Sequence, residues 1–158
     1  MAINLGSNPI KDVKLGSLQV EKLYLGDELV FGGEDDGNLL TSPYNYSYGG
    51  VEWTWNKFDA TGYGGYSVSG GAMCPVTPLK ETLTSGEKCI FSIKEPYTYN
   101  LRITLSGNVT FRIVLNAGQT SVQANITGNV DSFQIFNLAR KGTAIDETIK
   151  GFKLVKAE

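Results

Sequence analysis

The chain has 158 residues, a length that suits one domain or one domain with a small appendage. Its net charge is −2, only 19% of its residues are charged and no basic run occurs, which argues against a nucleic-acid-binding surface. No stretch approaches the roughly 18 consecutive apolar residues of a membrane-spanning helix. The N-terminus lacks the regions of a signal peptide, so we expect synthesis in a cytosol without an export step.

Residues 1–31 carry a short apolar pattern that nearly repeats, since VKLGSLQV is followed by LYLGDELVF. We predict an antiparallel meander of three strands, 10–15, 18–25 and 29–31, with reversals at glycine-containing breaks, where glycine can adopt a positive φ. So small a meander buries too little surface to be stable alone. We expect it to dock on its own second domain, on copies of itself or on a larger assembly. The apolar residues predicted to dock are Val13, Leu15, Val20, Leu23, Leu25, Val30 and Phe31.

Residues 32–37, GGEDDG, contain no apolar side chain to bury and are predicted to be a linker. Clustered carboxylates can attract Ca²⁺, but the spacing of an EF-hand loop is absent. We therefore interpret the acidic run as solvated chain without a metal site. The linker separates the meander from a second domain, 38–158.

Strand-like runs recur at short spacing through this second domain, separated by turns rich in Gly and Asn. Several alternate apolar and polar residues, as NLRITLSG and VTFRIVLN do, which is typical of strands with one buried face. We predict an all-β protein whose second domain is an antiparallel β-sandwich of the jelly-roll type. The predicted strands are 51–56, 66–69, 88–94, 100–106, 108–115, 121–126, 132–138 and 148–155.

An aromatic cluster follows the start of the second domain. Trp53 and Trp55 are two positions apart, so on a strand they share one face. An exposed aromatic face can stack on a sugar ring, whereas in the alternative interpretation the tryptophans are core residues and the tyrosines cover the sheet edge. The predicted glycan-binding residues are Trp53, Trp55, Tyr46, Tyr48, Tyr63 and Tyr66.

The sequence offers little catalytic chemistry. It has no histidine, which removes the usual general base and the commonest metal ligand. Two cysteines, Cys74 and Cys89, do not make a zinc site, and are either free thiols or a bridge between adjacent strands. A glycosidase needs two carboxylates close together in a cleft, and the spacing of the candidate carboxylates in the sequence does not predict that any two of them meet. They are Glu52, Asp59, Glu81 and Glu95. We predict a non-enzymatic protein with no cofactor and no metal.

Residues 38–158 open with NLLTSPY, continue through GGVEW and LKETLTSGEKCIFSI, and close with DETIKGFKLVKAE. This order resembles a β-sandwich module of bacteriophage structural proteins, which is itself similar to carbohydrate-binding modules. The two N-terminal motifs resemble "YLGD" repeats near the N-termini of phage tail, baseplate and head-fibre proteins. The chain departs from the module at residues 57–61, where a DG(T/S) turn is more usual.

The resemblance implies a bacteriophage virion structural protein, such as a head fibre, tail component or capsid decoration. Its N-terminal segment would anchor it to other capsid, neck or tail proteins. The jelly-roll domain would project outward, with weak adhesion to host-surface glycans. We expect many copies or a homo-oligomer on the particle, assembled in the host cytoplasm, and neither nucleic acid nor membrane as a partner. The alternative is a bacterial carbohydrate-binding or adhesion module of a cell-wall-associated protein.

Overall fold

A computed structural model describes residues 37–158 and, within residues 1–36, the backbone of six short strands. The chain divides into two compact units, Met1–Asp36 and Gly37–Glu158. In the first unit the strands pair in sequence as three antiparallel hairpins, β1 with β2, β3 with β4 and β5 with β6. Their bounds are β1 Asn4–Leu5, β2 Asn8–Pro9, β3 Val13–Leu15, β4 Leu18–Val20, β5 Leu23–Leu25 and β6 Glu28–Phe31.

The pairings agree with the chain reversals of the predicted antiparallel meander. Leu15 lies opposite Leu18 and Leu25 lies opposite Glu28, so the chain reverses between these residues as predicted. Of the predicted second strand, 18–25, residues 18–20 pair with β3 as β4, and residues 23–25 pair with β6 as β5. The repeated sequence unit is therefore a complete two-stranded hairpin, because each copy of the motif supplies both strands and the glycine-containing connection between them.

The second unit is all-β, with no helix among residues 37–158. Within the part of the chain that the structure describes, no helix could therefore cross a membrane. Every pairing between its strands is antiparallel. The strands are β7 Tyr46–Tyr48, β8 Val51–Asn56, β9 Asp59–Gly65, β10 Gly71–Ala72, β11 Thr77–Leu83, β12 Lys88–Ser92, β13 Leu101–Gly107, β14 Thr110–Leu115, β15 Ser121–Asn125, β16 Val130–Asn137, β17 Ala144–Ile149 and β18 Lys153–Ala157.

Three sheets build this unit. A four-stranded sheet has the order β17-β9-β8-β7, and a three-stranded sheet has the order β15-β12-β18. In the five-stranded sheet β10 and β11 both pair with β16, which continues to β13 and β14. The predicted all-β antiparallel sandwich is confirmed. Its jelly-roll connectivity stays a prediction.

The buried faces of the three sheets share one hydrophobic core. The β13 strand shows how the period-two pattern produces it, since Leu101, Ile103 and Leu105 are fully buried and the residues between them are half-buried. The largest fully buried side chains of the core are aromatic, among them Trp53 and Phe91. Burial of this apolar surface is the main force that stabilises the sandwich.

The two ends of the second unit are joined by the buried side chain of Asn38. Its Oδ1 accepts hydrogen bonds from the amides of Leu40 (3.2 Å) and Leu154 (3.0 Å), and its Nδ2 donates to the carbonyl of Phe152 (3.2 Å). The Leu39 amide donates to the Leu154 carbonyl over 2.7 Å. The NLL segment is therefore hydrogen-bonded to the closing FKLVKAE segment, so the beginning and the end of this unit lie side by side.

Residues 57 and 58 form a tight hairpin turn between β8 and β9, with Asn56 opposite Asp59. Lys57 adopts a φ of 54°, the left-handed region that few non-glycine residues occupy. Asp59 Oδ1 accepts a hydrogen bond from the Gly151 amide (2.8 Å), which ties this turn to the connection between β17 and β18. The carboxylate of Asp59 thus has a structural role here.

Candidate functional site

The structure separates the six predicted glycan-binding residues into three groups. Trp53, Trp55 and Tyr66 are buried in the core. Trp55 Nε1 donates to the Met73 carbonyl (2.7 Å), and burial raises the pKa of Tyr66 to about 12. These three side chains expose no ring face on which a sugar could stack, so their prediction as glycan-binding residues is wrong. The alternative interpretation, in which both tryptophans are core residues, is correct.

Trp53 is the most enclosed of the three, with 1% of its surface exposed. Its six-membered ring lies over Gly62 of the neighbouring strand, where an added Cβ would come within 2.6 Å of the ring. The glycine makes room for the ring, because no other residue at that position could leave the ring in place. Trp53 Nε1 is shielded and has no hydrogen-bond partner among the described residues.

Tyr46 and Tyr48 form the second group. They lie on β7, the edge strand of the four-stranded sheet, opposite Trp53 and Val51. Residues opposite one another share a face, so both tyrosines are on the inner face. Their rings stack 6.5 Å apart with an interplanar angle of 10°. Tyr48 is nevertheless 45% exposed because β7 is the edge strand of this sheet among the described residues.

Tyr63 stands alone in the third group, on the outer face of the same sheet, and is 70% exposed. It lies in the middle of β9, opposite Glu52 on β8 and Asp146 on β17. Both carboxylates are exposed, and opposite residues of this kind have Cβ atoms about 5 Å apart. We call these residues and the adjacent row of threonines the Tyr63 face; the threonines are Thr54, Thr61 and Thr148.

The Tyr63 face has the chemistry of a sugar platform. A tyrosine ring provides an apolar surface for stacking, and its hydroxyl keeps a polar handle. The carboxylates on either side accept hydrogen bonds from hydroxyl groups. The threonine row adds further hydroxyls, of which Thr61 and Thr148 already bond each other over 2.9 Å. Of the six predicted glycan-binding residues, Tyr63 is the one on the outer face of a sheet, where its ring could stack on a sugar.

A second polar surface, which was not predicted from the sequence, lies on the outer side of the five-stranded sheet. Arg102 of β13 lies opposite Phe136 of β16, and its guanidinium carbon is 4.3 Å from the centre of that ring. In the next row Thr104 lies between Arg112 of β14 and Gln134 of β16. We call these five residues the arginine face. The signal was present in the alternation of NLRITLSG and VTFRIVLN, where both arginines occupy outward positions.

Two other carboxylates considered for a glycosidase, those of Glu81 and Glu95, lie apart from each other in the fold. Glu81 of β11 lies 3.1 Å from Lys156 Nζ, and Glu95 is an exposed residue between β12 and β13. Over the described residues no group of three or more His, Cys, Asp or Glu side chains could hold a metal ion. Neither observation brings an acid and a base together.

Both cysteines are buried, free thiols. Burial raises the pKa of Cys74 to about 12 and that of Cys89 to about 11. Cys74 Sγ also accepts a hydrogen bond from the Ile135 amide (3.3 Å). The bridge that the sequence left open is therefore not formed.

The seven residues predicted to dock on the virion lie in β3, β4, β5 and β6. In the backbone pairing Val13 lies opposite Val20 and Leu23 opposite Phe31. Their side chains, and the predicted linker up to residue 36, lie outside the described residues. The docking surface therefore stays a prediction.

Comparison of the chain with protein-family models, with curated proteins and with solved structures finds no match.

Proposed function

We propose that this chain is a non-enzymatic structural protein of a bacteriophage virion, attached by its N-terminal hairpins and presenting the sandwich as an adhesion module. The observation that carries the proposal is the contrast between the two units. The sandwich has a core of its own, whose largest fully buried side chains include Trp53, Phe91 and Phe133. The first unit has strands of only two to four residues in separate hairpins. An isolated hairpin is marginally stable at best in water, so such a unit gains most from a partner.

Adhesion would use the Tyr63 face. Its aromatic ring is presented in the middle of a sheet, a surface that can accept an extended sugar chain across several strands. A single site of this kind, with one ring and two carboxylates, supports weak binding. Many copies on one particle would convert weak single-site binding into strong attachment through effective concentration.

The attachment half of the proposal is tested with a truncated protein, residues 37–158, because this part contains the whole described core. We expect its thermal unfolding to match that of the sandwich in the full chain. The full chain should be incorporated into phage particles when supplied during assembly, and the truncated protein should not be. A full-length Tyr63→Ala variant is the control and should be incorporated normally. Normal incorporation of the truncated protein would refute anchoring by the hairpins.

The adhesion half is tested by binding of the full chain to host cell-wall polysaccharide. Tyr63→Ala should remain folded, since the side chain is exposed, and should lose binding. Tyr44→Ala is the matched control, because Tyr44 is 76% exposed but precedes the sheet, and it should bind normally. Glycan binding by a protein that is absent from purified particles would favour the alternative, a bacterial carbohydrate-binding module.

A further inference from the structure

The arginine face combines two positive charges that have no negative partner among the described residues. Arg102 and Arg112 lie on adjacent strands as diagonal neighbours, since Arg102 is opposite Val114 and Arg112 is opposite Thr104. Diagonal neighbours have Cα atoms about 7–8 Å apart, within reach of long side chains. Within residues 37–158, the only ion pairs are those of Lys156 with Glu81 and Glu87. The two arginines are thus held near one another without a carboxylate between them.

This arrangement costs free energy in the unliganded protein. Burial lowers the pKa of Arg102, and the positive charge of Arg112 lowers it further. The Phe136 ring compensates in part by a cation–π contact. A guanidinium group has five N–H donors and no acceptor, so a ring contact leaves most of its hydrogen-bonding capacity unused.

Two polar atoms on this face are shielded from water and unpaired. Arg102 Nε and Thr104 Oγ1 have no hydrogen-bond partner among the described residues. Unpaired shielded polar atoms are rare in native proteins and are costly, so each one calls for an explanation. Thr104 lies two residues after Arg102 on the same face and directly opposite Arg112. The two unpaired atoms therefore belong to adjacent rows of the same sheet face, beside Arg112.

We infer that the arginine face is a binding site for a compact oxyanion, the carboxylate or sulfate group of an acidic polysaccharide. Guanidinium groups match the geometry of such anions and form charge-assisted hydrogen bonds with them. The adjacent row of the sheet supplies hydroxyl groups suited to sugar hydroxyls, from Ser132, Ser106 and Thr110.

This inference is independent of the proposed function, because the face belongs to a different sheet from Tyr63. The test is an NMR titration of the full chain with glucuronate and with sulfate, and with glucose as the neutral probe. We expect saturable shifts of β13 and β14 amides with the two anions and none with glucose. Polyglucuronate, dextran sulfate and unmodified dextran then show whether a carboxylate or a sulfate polymer is bound more tightly.

Arg112→Gln is the decisive variant, because Arg112 is exposed and its loss should not disturb the fold. We expect its affinity for the better anion to fall by about tenfold or more, the loss typical of a charged hydrogen bond. Arg140→Gln removes the same charge from an exposed residue outside the five strands and should bind normally. Tyr63→Ala should also bind the anion normally, whatever becomes of the proposed glycan adhesion.

Three results would overturn the inference. The first is the absence of a saturable response to either anion. The second is unchanged binding by Arg112→Gln, or an equal loss in Arg140→Gln, which would indicate an effect of overall charge. The third is an equal response of the same amides to glucose and dextran.

Discussion

Replacing Gly62 with alanine tests the packing that makes Trp53 a core residue. An added Cβ would lie 2.6, 2.7 and 2.9 Å from three carbon atoms of the Trp53 ring. Carbon atoms in favourable contact are about 3.5–4.0 Å apart, so the ring would have to move by roughly 1 Å. Trp53 is 1% exposed, and the atoms around it leave no free direction for that movement.

The magnitude follows from two opposing effects. Overpacking a core by one methyl group costs about 1–3 kcal/mol. Alanine also reduces the entropy of the unfolded chain relative to glycine, which stabilises the protein by about 0.4–1 kcal/mol. We expect a net destabilisation of about 1–2 kcal/mol, or a fall in Tm of roughly 4–8 °C for a domain of this size. Thermal and urea unfolding followed by tryptophan fluorescence would measure it.

Gly65 provides a matched control on the same strand. A Cβ at this position meets no atom within 4 Å, and its φ lies outside the left-handed region. Gly65→Ala should therefore be neutral or slightly stabilising. In a double-mutant cycle, Trp53→Phe should reduce the loss of stability caused by Gly62→Ala, because phenylalanine lacks the second ring of the indole and leaves more room for the added Cβ. Equal stability of the two alanine variants would refute the packing and return Trp53 to the candidates for an exposed binding surface.

Three further predictions concern buried polar groups. Asn38→Ala should destabilise the sandwich by about 2–4 kcal/mol in urea unfolding, since it leaves several buried backbone groups unpaired; a loss under about 0.5 kcal/mol would contradict this role. Cys74 and Cys89 should resist alkylation at pH 8 until the protein unfolds, because their raised pKa values keep the thiols protonated; rapid labelling of the native protein would contradict their burial. Stability should decline above about pH 9–10, where these thiols and Tyr66 ionise more readily in the unfolded chain than in the folded one. Alkaline titration followed by circular dichroism checks the sign, and unchanged stability up to pH 12 would refute it.

The fold was predictable where the sequence alternates. The β13 and β14 strands place Leu101, Ile103, Leu105, Ile113 and Leu115 on the buried face as the pattern indicates, whereas Val114 of β14 is 38% exposed on the outer face. In β12 the pattern also holds, since Cys89 and Phe91 are buried and Ile90 is half-buried on the other face. The predicted strand 66–69 does not exist, and 148–155 is divided between β17 and β18.

The strand β9 shows why a propensity rule fails. Its sequence, DATGYGG, contains three glycines and so has no strand signal. The structure supplies the reason for Gly62, which accommodates the Trp53 ring contributed by the neighbouring strand. Glycine is needed at position 62 because of a residue nine positions earlier, so no sequence pattern within β9 could have predicted it.

The binding faces were harder to predict than the fold for a related reason. Period-two alternation correctly indicated that Trp53 and Trp55 share a face, but it cannot say which face of the strand is covered by the rest of the protein. Aromatic residues are abundant both in sandwich cores and in sugar-binding surfaces. Tyr63 and Trp53 were therefore equivalent in the sequence, and the pairing of β8 with β9 places them on opposite sides of one sheet.

The arginine face could not be predicted from basic runs, because its two arginines are not part of a run of consecutive basic residues. Arg102 and Arg112 are separated by nine residues, and the charge density along the chain between them is low. The antiparallel pairing of β13 with β14 brings Arg112 opposite Thr104, one row from Arg102. In a β protein, strand register can bring charged residues together that are far apart in the sequence. A nearly neutral composition therefore limits the total charge of the protein, but it does not prevent like charges from clustering on one face.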